Sequence, residues 1–178
     1  MEEAKWVFLE ENFDLYENIL SSVIKNAVAL FMVELLQKTL KQPEPNDILF
    51  NFIEDAFLHL DKANEVVVAN FPMFFALHLS SFFGFRISDN YSEKNNILDL
   101  YEGNFVHEPP LHAHYLEGQY SYVTSQLLKV MQPYELEQFR MNKDFRRSLL
   151  KSYQDFYGLH IQDFGTMKTL AVLQEVLG

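Results

Sequence analysis

The sequence contains no cysteine, and only six glycines and six prolines among 178 residues. The first absence excludes disulfides, iron–sulfur clusters and thiolate zinc sites. The scarcity of Gly and Pro disfavours a turn-rich β architecture and favours helices. Basic residues are also few, 14 Lys and Arg against 25 Asp and Glu, a net charge of −11. Wrapping nucleic acid needs clustered Lys and Arg to neutralise phosphates, so the chain as a whole is a poor match for that task. No run of 18 or more apolar residues is present, and the acidic opening MEEAKWVFLEE is the reverse of a secretory signal's basic start. Both features argue against export and membrane insertion and for a soluble, cytoplasmic protein. Chemistry is missing as well. There is no GxSxG, no glycine-rich phosphate loop and no adjacent His-Asp pair, and the paired acids Glu10-Glu11 lie in polar surroundings that would leave them solvated. No enzyme and no cofactor are expected.

What the chain has in abundance is aromatic rings, 17 Phe and 9 Tyr. They concentrate in Phe71 to Arg86, FPMFFALHLSSFFGFR, with six phenylalanines in sixteen residues. Pro72 suits the first turn of a helix, where its missing N–H is not needed, and Gly84 suits the position just past the last turn, where positive φ is wanted. Only His78, Ser80 and Ser81 relieve the apolar character, so neighbouring helices must cover more than one face. This is expected to be the central helix. A lone histidine in such a setting is usually a hydrogen-bonded core or boundary residue, and the ring wealth is usually core, not a cofactor slot.

Around it the chain reads as a bundle of about six helices. Residues 1–20 look like a leader. A first helix runs from about Ser22 to Lys41 with Ile24, Ala27, Val28, Phe31 and Leu35 on one stripe, stopped by Gln42-Pro43-Glu44-Pro45. Asn46 or Asp47 caps a second, in which Ile48, Phe52, Ile53, Ala56, Phe57 and Leu60 recur at helical spacing. A polar link and VVVAN lead to the Phe-rich helix. ISDNYSEKNN is a polar loop, and ILDLYEGNFV alternates around Glu102-Gly103-Asn104 as a small β-hairpin. HEPPLHAHYLEG is too rich in Pro for a helix. Helices resume at about Gln119 to Met131, Tyr134 to Met141, Asn142 to Leu159 (with Phe145, Leu149, Tyr153 and Phe156 on one stripe) and Thr166 to Leu177. The fold class is all-α with one hairpin excursion.

Two clusters remain for function. His107, His112 and His114, with Glu108 and Glu117, are the only candidates for a metal through nitrogen and oxygen. Their HExxxH spacing with two prolines inside is not the HExxH helix of a zincin, and an incidental His-rich loop is the plainer reading. The second cluster is basic. Residues 1–128 carry 7 basic and 19 acidic groups, whereas 129–178 carry 7 and 6, with Arg140, Lys143, Arg146, Arg147 and Lys151 as one dense run. A solvated face that balances an acidic molecule competes here with a dock for an acidic peptide or phosphate backbone.

The order of several motifs resembles the C-terminal helical region of the RecO family of DNA repair proteins, over about residues 20–178. The motifs are the Gly84-Phe85 corner, the segment Asp99, Leu100, Glu102, Gly103, Phe105, the helix end Phe156, Tyr157, Leu159, His160, and FGxxKTLxVLxEV from Phe164 to Val176. KNAVALFMVELL, Lys25 to Leu36, looks like that family's opening helix. The resemblance implies a missing N-terminal OB-fold, which supplies most contact with single-stranded DNA, with residues 1–20 as its exit. Residues 21–178 would be the helical domain, with a hairpin and loop insertion at about 87–116. Many relatives hold zinc through four cysteines after the Gly-aromatic corner and around the EGxF segment. Here no cysteine stands there, so the loop must hold itself by packing, and deleting a core ring such as Phe82 is expected to loosen the hairpin as well as the bundle.

The resemblance further implies a recombination mediator without catalysis, which binds RecR and the single-stranded-DNA-binding protein and helps to load RecA. The latter's tail is acidic and ends in Phe, so its receiving site needs Lys or Arg beside an apolar notch. By charge and position the candidates are Lys129, Arg146, Arg147, Lys151 and Lys168. Lys168 occupies the Lys of the family's terminal KS pair, with Thr169 in place of Ser. The rival reading is a helical ligand-binding or sensor domain whose Phe-rich helix lines an apolar cavity of at least ~300 Å³.

Overall fold

A computed structural model describes residues 16–41 and 45–177. Residues 1–15 of the leader, with Glu10-Glu11, and most of the Gln42-Pro43-Glu44-Pro45 stop lie outside these residues, whereas the leader's end packs on the fold, with Ile19 buried and the Asn18 and Ile19 N–H groups donating to the Asp61 carboxylate at 2.8 Å. Among the described residues are six α-helices: α1 (Val23–Thr39), α2 (Asp47–Lys62), α3 (Glu65–Ser80), α4 (Gly118–Leu127), α5 (Lys143–His160) and α6 (Lys168–Val176). Two 3₁₀ turns, Ser81–Phe83 and Pro133–Gln138, and a three-stranded antiparallel sheet complete the set. The fold is all-α with a small β excursion.

Side-chain caps set the helix starts. Ser22 accepts from the Lys25 N–H, Asn46 from Leu49, Asn64 from Val67 and Asn142 from Phe145. Each satisfies a first-turn donor that has no partner within the helix.

Helix α3 begins earlier than expected. VVVAN is not a lead-in but its first turns, and Pro72 sits inside the helix. There the proline withholds an N–H from the Val68 carbonyl, a cost the helix tolerates because so much apolar surface is buried along it. Val67, Val68 and every residue from Asn70 to Leu77, together with Leu79 and Ser80, are buried. Glu65–Phe83, 19 residues with a mean hydropathy of 1.7 over an 18-residue window, has the length and composition of a bilayer span, but 67% of that window is buried inside the protein. α1, α5 and the Pro133–Gln138 turn pack directly on it. The helix ends as expected, with Gly84 at φ 81°.

Other expectations shift in detail. Ile48 leaves its stripe and is 75% exposed, because only Leu49, Ala56 and Leu60 of the apolar positions in α2 are buried. The hairpin is there, β1 (Ile97–Asp99) paired with β2 (Asn104–Val106), but β1 also pairs with a third strand, β3 (Tyr115–Leu116). A two-residue strand just after a Pro-rich turn has no alternation from which to be recognised.

Polar groups and rings hold this excursion. The Asp99 carboxylate accepts the Tyr101 and Glu102 N–H groups, which closes the turn. Gly103 follows at φ 65°, and a Cβ there would meet the Arg86 carbonyl oxygen at 3.1 Å, so the glycine is required twice over. The Asn90 amide donates to the Phe105 carbonyl and accepts its N–H, at 2.9 and 2.8 Å, which satisfies an open strand edge. Tyr91 meets Phe105 edge-on at 5.4 Å. His160 at the end of α5 lies 3.1 Å from the Leu100 carbonyl oxygen and stacks on Phe85 at 5.1 Å.

The half-buried Phe82 ring packs 5.1 Å from Phe52 of α2. The ring that ties the corner to α5 is Phe85, which also meets Phe156 and Tyr157 edge-on. Phe85→Ala is therefore expected to speed amide exchange across residues 97–106 more than across α2, and Phe82→Ala the reverse. Each should cost about 3 kcal/mol of stability. Hydrogen exchange read by mass spectrometry distinguishes the two patterns, and equal effects on the strands would remove Phe85 as their anchor.

Candidate functional site

Helices α5 and α6 meet along a shallow notch lined by Lys143, Arg146, Arg147, Leu150, Leu173, Gln174 and Leu177. The spacing of Lys143, Arg146, Arg147 and Leu150 puts all four on one face of α5, since residues three, four and seven apart share a face. Leu150 and Leu173 are buried and form an apolar floor, while Lys143 and Arg147 are exposed at the rim.

The two arginines differ in how free they are. The Arg146 guanidinium donates to the Met141 carbonyl at 2.5 Å and to the Leu177 carbonyl at 3.1 Å. Its Nε is buried without a partner, and burial pulls its pKa below the ordinary arginine value. Arg147 reaches the Gln174 carbonyl only at 3.5 Å. Both meet the C-terminal end of α6, where unpaired carbonyls and the helix dipole favour cations. Arg146 thus latches α6 in place, and Arg147 keeps donors for another anion.

The other candidates lie apart. Lys151 stands one turn further along α5 and pairs with Asp155 at 3.6 Å, both exposed. Lys129 pairs with Asp89 at 3.9 Å in the loop before the sheet. Such surface pairs contribute little. Lys168 opens α6, at the far end of that helix from Leu177, ~14 Å along its axis at 1.5 Å per residue. The basic run therefore converges on the notch in part, through Lys143, Arg146 and Arg147. Lys143 belongs to that run but not to the five candidates, and the three leucines and Gln174 are further lining residues that the charge pattern does not pick out. The i, i+3, i+4, i+7 spacing from Lys143 to Leu150 was the available signal.

His112 Nε2 lies 3.4 Å from Asp99 Oδ1, the His114 N–H donates to His112 Nδ1, and His107 Nδ1 is 2.8 Å from the Lys94 carbonyl oxygen. Among the described residues no three His, Cys, Asp or Glu side chains converge as a metal-holding group. Burial lowers the His78 pKa, opposed by a backbone hydrogen bond at Leu127, and its ring packs 4.4 Å from Phe74. The apolar side chains of α3 fill the interior: Phe71, Met73, Phe75 and Leu79 have no exposed surface. An open depression lined by Tyr134, Glu135, Glu137 and Gln138 takes no residue from α3.

Comparison with known proteins bears on all of this. The family model described as "Recombination protein O C terminal" matches residues 20–169. Among individual proteins, the chain is similar to the DNA repair protein RecO of Azobacteroides pseudotrichonymphae genomovar. CFP2, 28% identical over 159 residues, 89% of this chain and 65% of that protein. It is similar to that of Bacteroides fragilis, 29% over 168 residues, 93% of this chain and 68% of that protein. The protein from Porphyromonas gingivalis is 30% identical over 163 residues, 89% and 65% of the two lengths. The chain thus spans about two thirds of the length of the relatives it matches. No solved structure matches it.

The two arginine roles separate experimentally. Arg146→Ala removes both bonds to the carbonyls and is expected to lower unfolding free energy by about 2 kcal/mol, whereas Arg147→Ala stays within about 0.5 kcal/mol of the parent. Urea unfolding of the two variants measures this, and equal costs would cancel the distinction.

Proposed function

The chain belongs to the RecO C-terminal family, and from that membership we propose that it is a non-catalytic, partner-binding module of a recombination mediator in DNA repair. Its partners in this reading are RecR and the single-stranded-DNA-binding protein, in the service of loading RecA on single strands in the cytoplasm. Residues 21–178 act as one helical domain with the 87–116 segment as an insertion.

The observation that carries the reading is the notch. An acidic peptide that ends in Phe presents a ring, a terminal carboxylate and further acids. The ring matches the floor of Leu150, Leu173 and Leu177, and the acids match Lys143 and Arg147 at the rim. Lys151 extends the positive face by one turn, and Arg146 acts from below by fixing α6. Lys129 and Lys168 would serve only a longer acidic segment that leaves the notch. The sensor reading lacks a comparable observation, since the α3 rings pack against one another and against the surrounding helices.

Titration with a fluorescent acidic peptide ending in Phe tests the proposal. The parent should bind saturably, and affinity should fall as salt rises. Arg147→Glu is expected to weaken binding at least about tenfold, or ~1.4 kcal/mol, and Lys151→Glu by less. Absence of saturable, salt-sensitive binding to the parent would remove the partner claim.

A further inference from the structure

The link between α5 and α6 is held from two sides: from α5, where the Gln154 side chain accepts the Met167 N–H at 2.8 Å and Tyr157 stacks on Phe164 at 5.5 Å, and by three charged side chains of α1 and its end. Glu34 stands on α1 with Lys38 one turn on, and Lys41 follows just past the helix end. The Glu34 carboxylate accepts three hydrogen bonds, from the Lys168 N–H at 2.8 Å, the Thr169 N–H at 2.8 Å and the Thr169 hydroxyl at 2.5 Å. It therefore serves as the N-terminal cap that α6 lacks, because Met167 at the cap position offers no side-chain acceptor. Lys38 donates to the Phe164 carbonyl at 2.7 Å and lies 5.3 Å over the Phe164 ring. Lys41 donates to the Gln162 carbonyl. Within the gripped segment, Asp163 and Gly165 both take positive φ, 57° and 63°, so the chain there follows a narrow path.

The partners of Glu34 lie 134 and 135 residues away in sequence. They are the first residues of the helix whose last turns, Leu173 to Leu177, form one wall of the notch. Helix α6 spans only nine residues and is anchored at both ends by charged side chains, Glu34 at its start and Arg146 at its finish. So short a helix has little stability of its own; burial of Leu170 and Leu173 against its neighbours seats it, and the anchors fix where its two ends lie.

We infer that Glu34, with Lys38 and Lys41, is a clamp that positions α6 and so sets the geometry of the α5–α6 notch without touching what binds there. The choice of ligand rests on the function proposed above, whereas the mechanical coupling of clamp to notch does not. Coupling between two sites is reciprocal, so a ligand in the notch must tighten the clamp by the factor by which the clamp tightens the ligand.

Two variants test this, Glu34→Gln, which removes the charge, and Thr169→Val, which removes only the hydroxyl and keeps the shape. Without ligand, amide exchange in Glu34→Gln should speed up through the whole of α6 to Leu173 and Leu177. A rise confined to Lys168 and Thr169 would overturn the coupling. With the acidic peptide ending in Phe, Glu34→Gln should bind about fivefold to tenfold more weakly and Thr169→Val about twofold to threefold, with the salt dependence of the parent retained. A direct ligand would instead reduce that dependence, as Arg147→Glu should. Parent-like affinity in Glu34→Gln despite faster α6 exchange would overturn the positioning role. If the parent binds no peptide, the functional reading fails, and the unliganded exchange pattern still decides the clamp.

Discussion

Helix α3 is apolar on nearly all sides, and the fold keeps such a helix from water only by surrounding it. That requirement dictates most of the architecture. Each fully buried Phe, Leu or Met side chain contributes about 1.5–3 kcal/mol relative to exposure, and Phe71, Met73, Phe75 and Leu79 are buried completely. α1, α5 and the Pro133–Gln138 turn supply the cover. Their polar contacts to α3 then fix the approach. The Tyr157 hydroxyl donates to the Ala76 carbonyl at 2.7 Å, and the Asn70 amide donates to the Leu136 and Phe139 carbonyls at 3.1 and 3.0 Å. A buried group without its partner is costly, so these bonds select one arrangement among many that would bury equal area. The Tyr157 and Tyr153 hydroxyls are pushed well above the ordinary tyrosine pKa by the same burial, the latter opposed by a bond with Thr124, and both act as neutral hydrogen-bonding groups.

With α5 seated on α3, the site geometry follows. The face of α5 that does not meet α3 carries Lys143, Arg146 and Arg147, and α6 lies along it, held to α1 at one end and to Arg146 at the other. The notch exists because two helices that converge leave a cleft between them, and its charge exists because the C-terminal carbonyls of α6 need donors. Arg146 thus closes the fold, and in the proposed function its neighbour Arg147 receives an anion. A similar economy holds the sheet, where the hydrogen bonds of Asn90, Asp99 and His160 close the turn and tie the strands to the helices.

Much of this was legible in the chain. Ser22, Asn46 and Asn142 announced helix starts, Gly84 announced a helix end, and the alternation in ILDLYEGNFV announced the hairpin, because each depends on local chemistry. The start of α3 was hidden, since a Val-rich run before a proline reads as extended chain until its burial is known. β3 was hidden by its shortness. At the site, helical spacing showed that the basic residues share a face, but not that Arg146 is occupied and Arg147 is freer. That difference lies in the carbonyls at the end of α6, contributed from some thirty residues away. Glu34 carried no signal at all. A lone acid on an amphipathic helix becomes a cap only when a distant helix start is laid against it.

In the proposed function the α5–α6 notch receives an acidic segment ending in Phe. The most direct measurement is a structure of the chain with such a peptide bound, by crystallography or from intermolecular nuclear Overhauser effects. The account predicts the terminal ring against Leu150, Leu173 and Leu177, with a carboxylate within hydrogen-bonding distance of Lys143 or Arg147. A peptide seated over the strands, or along Lys129 and Asp89 with the notch empty, would contradict it.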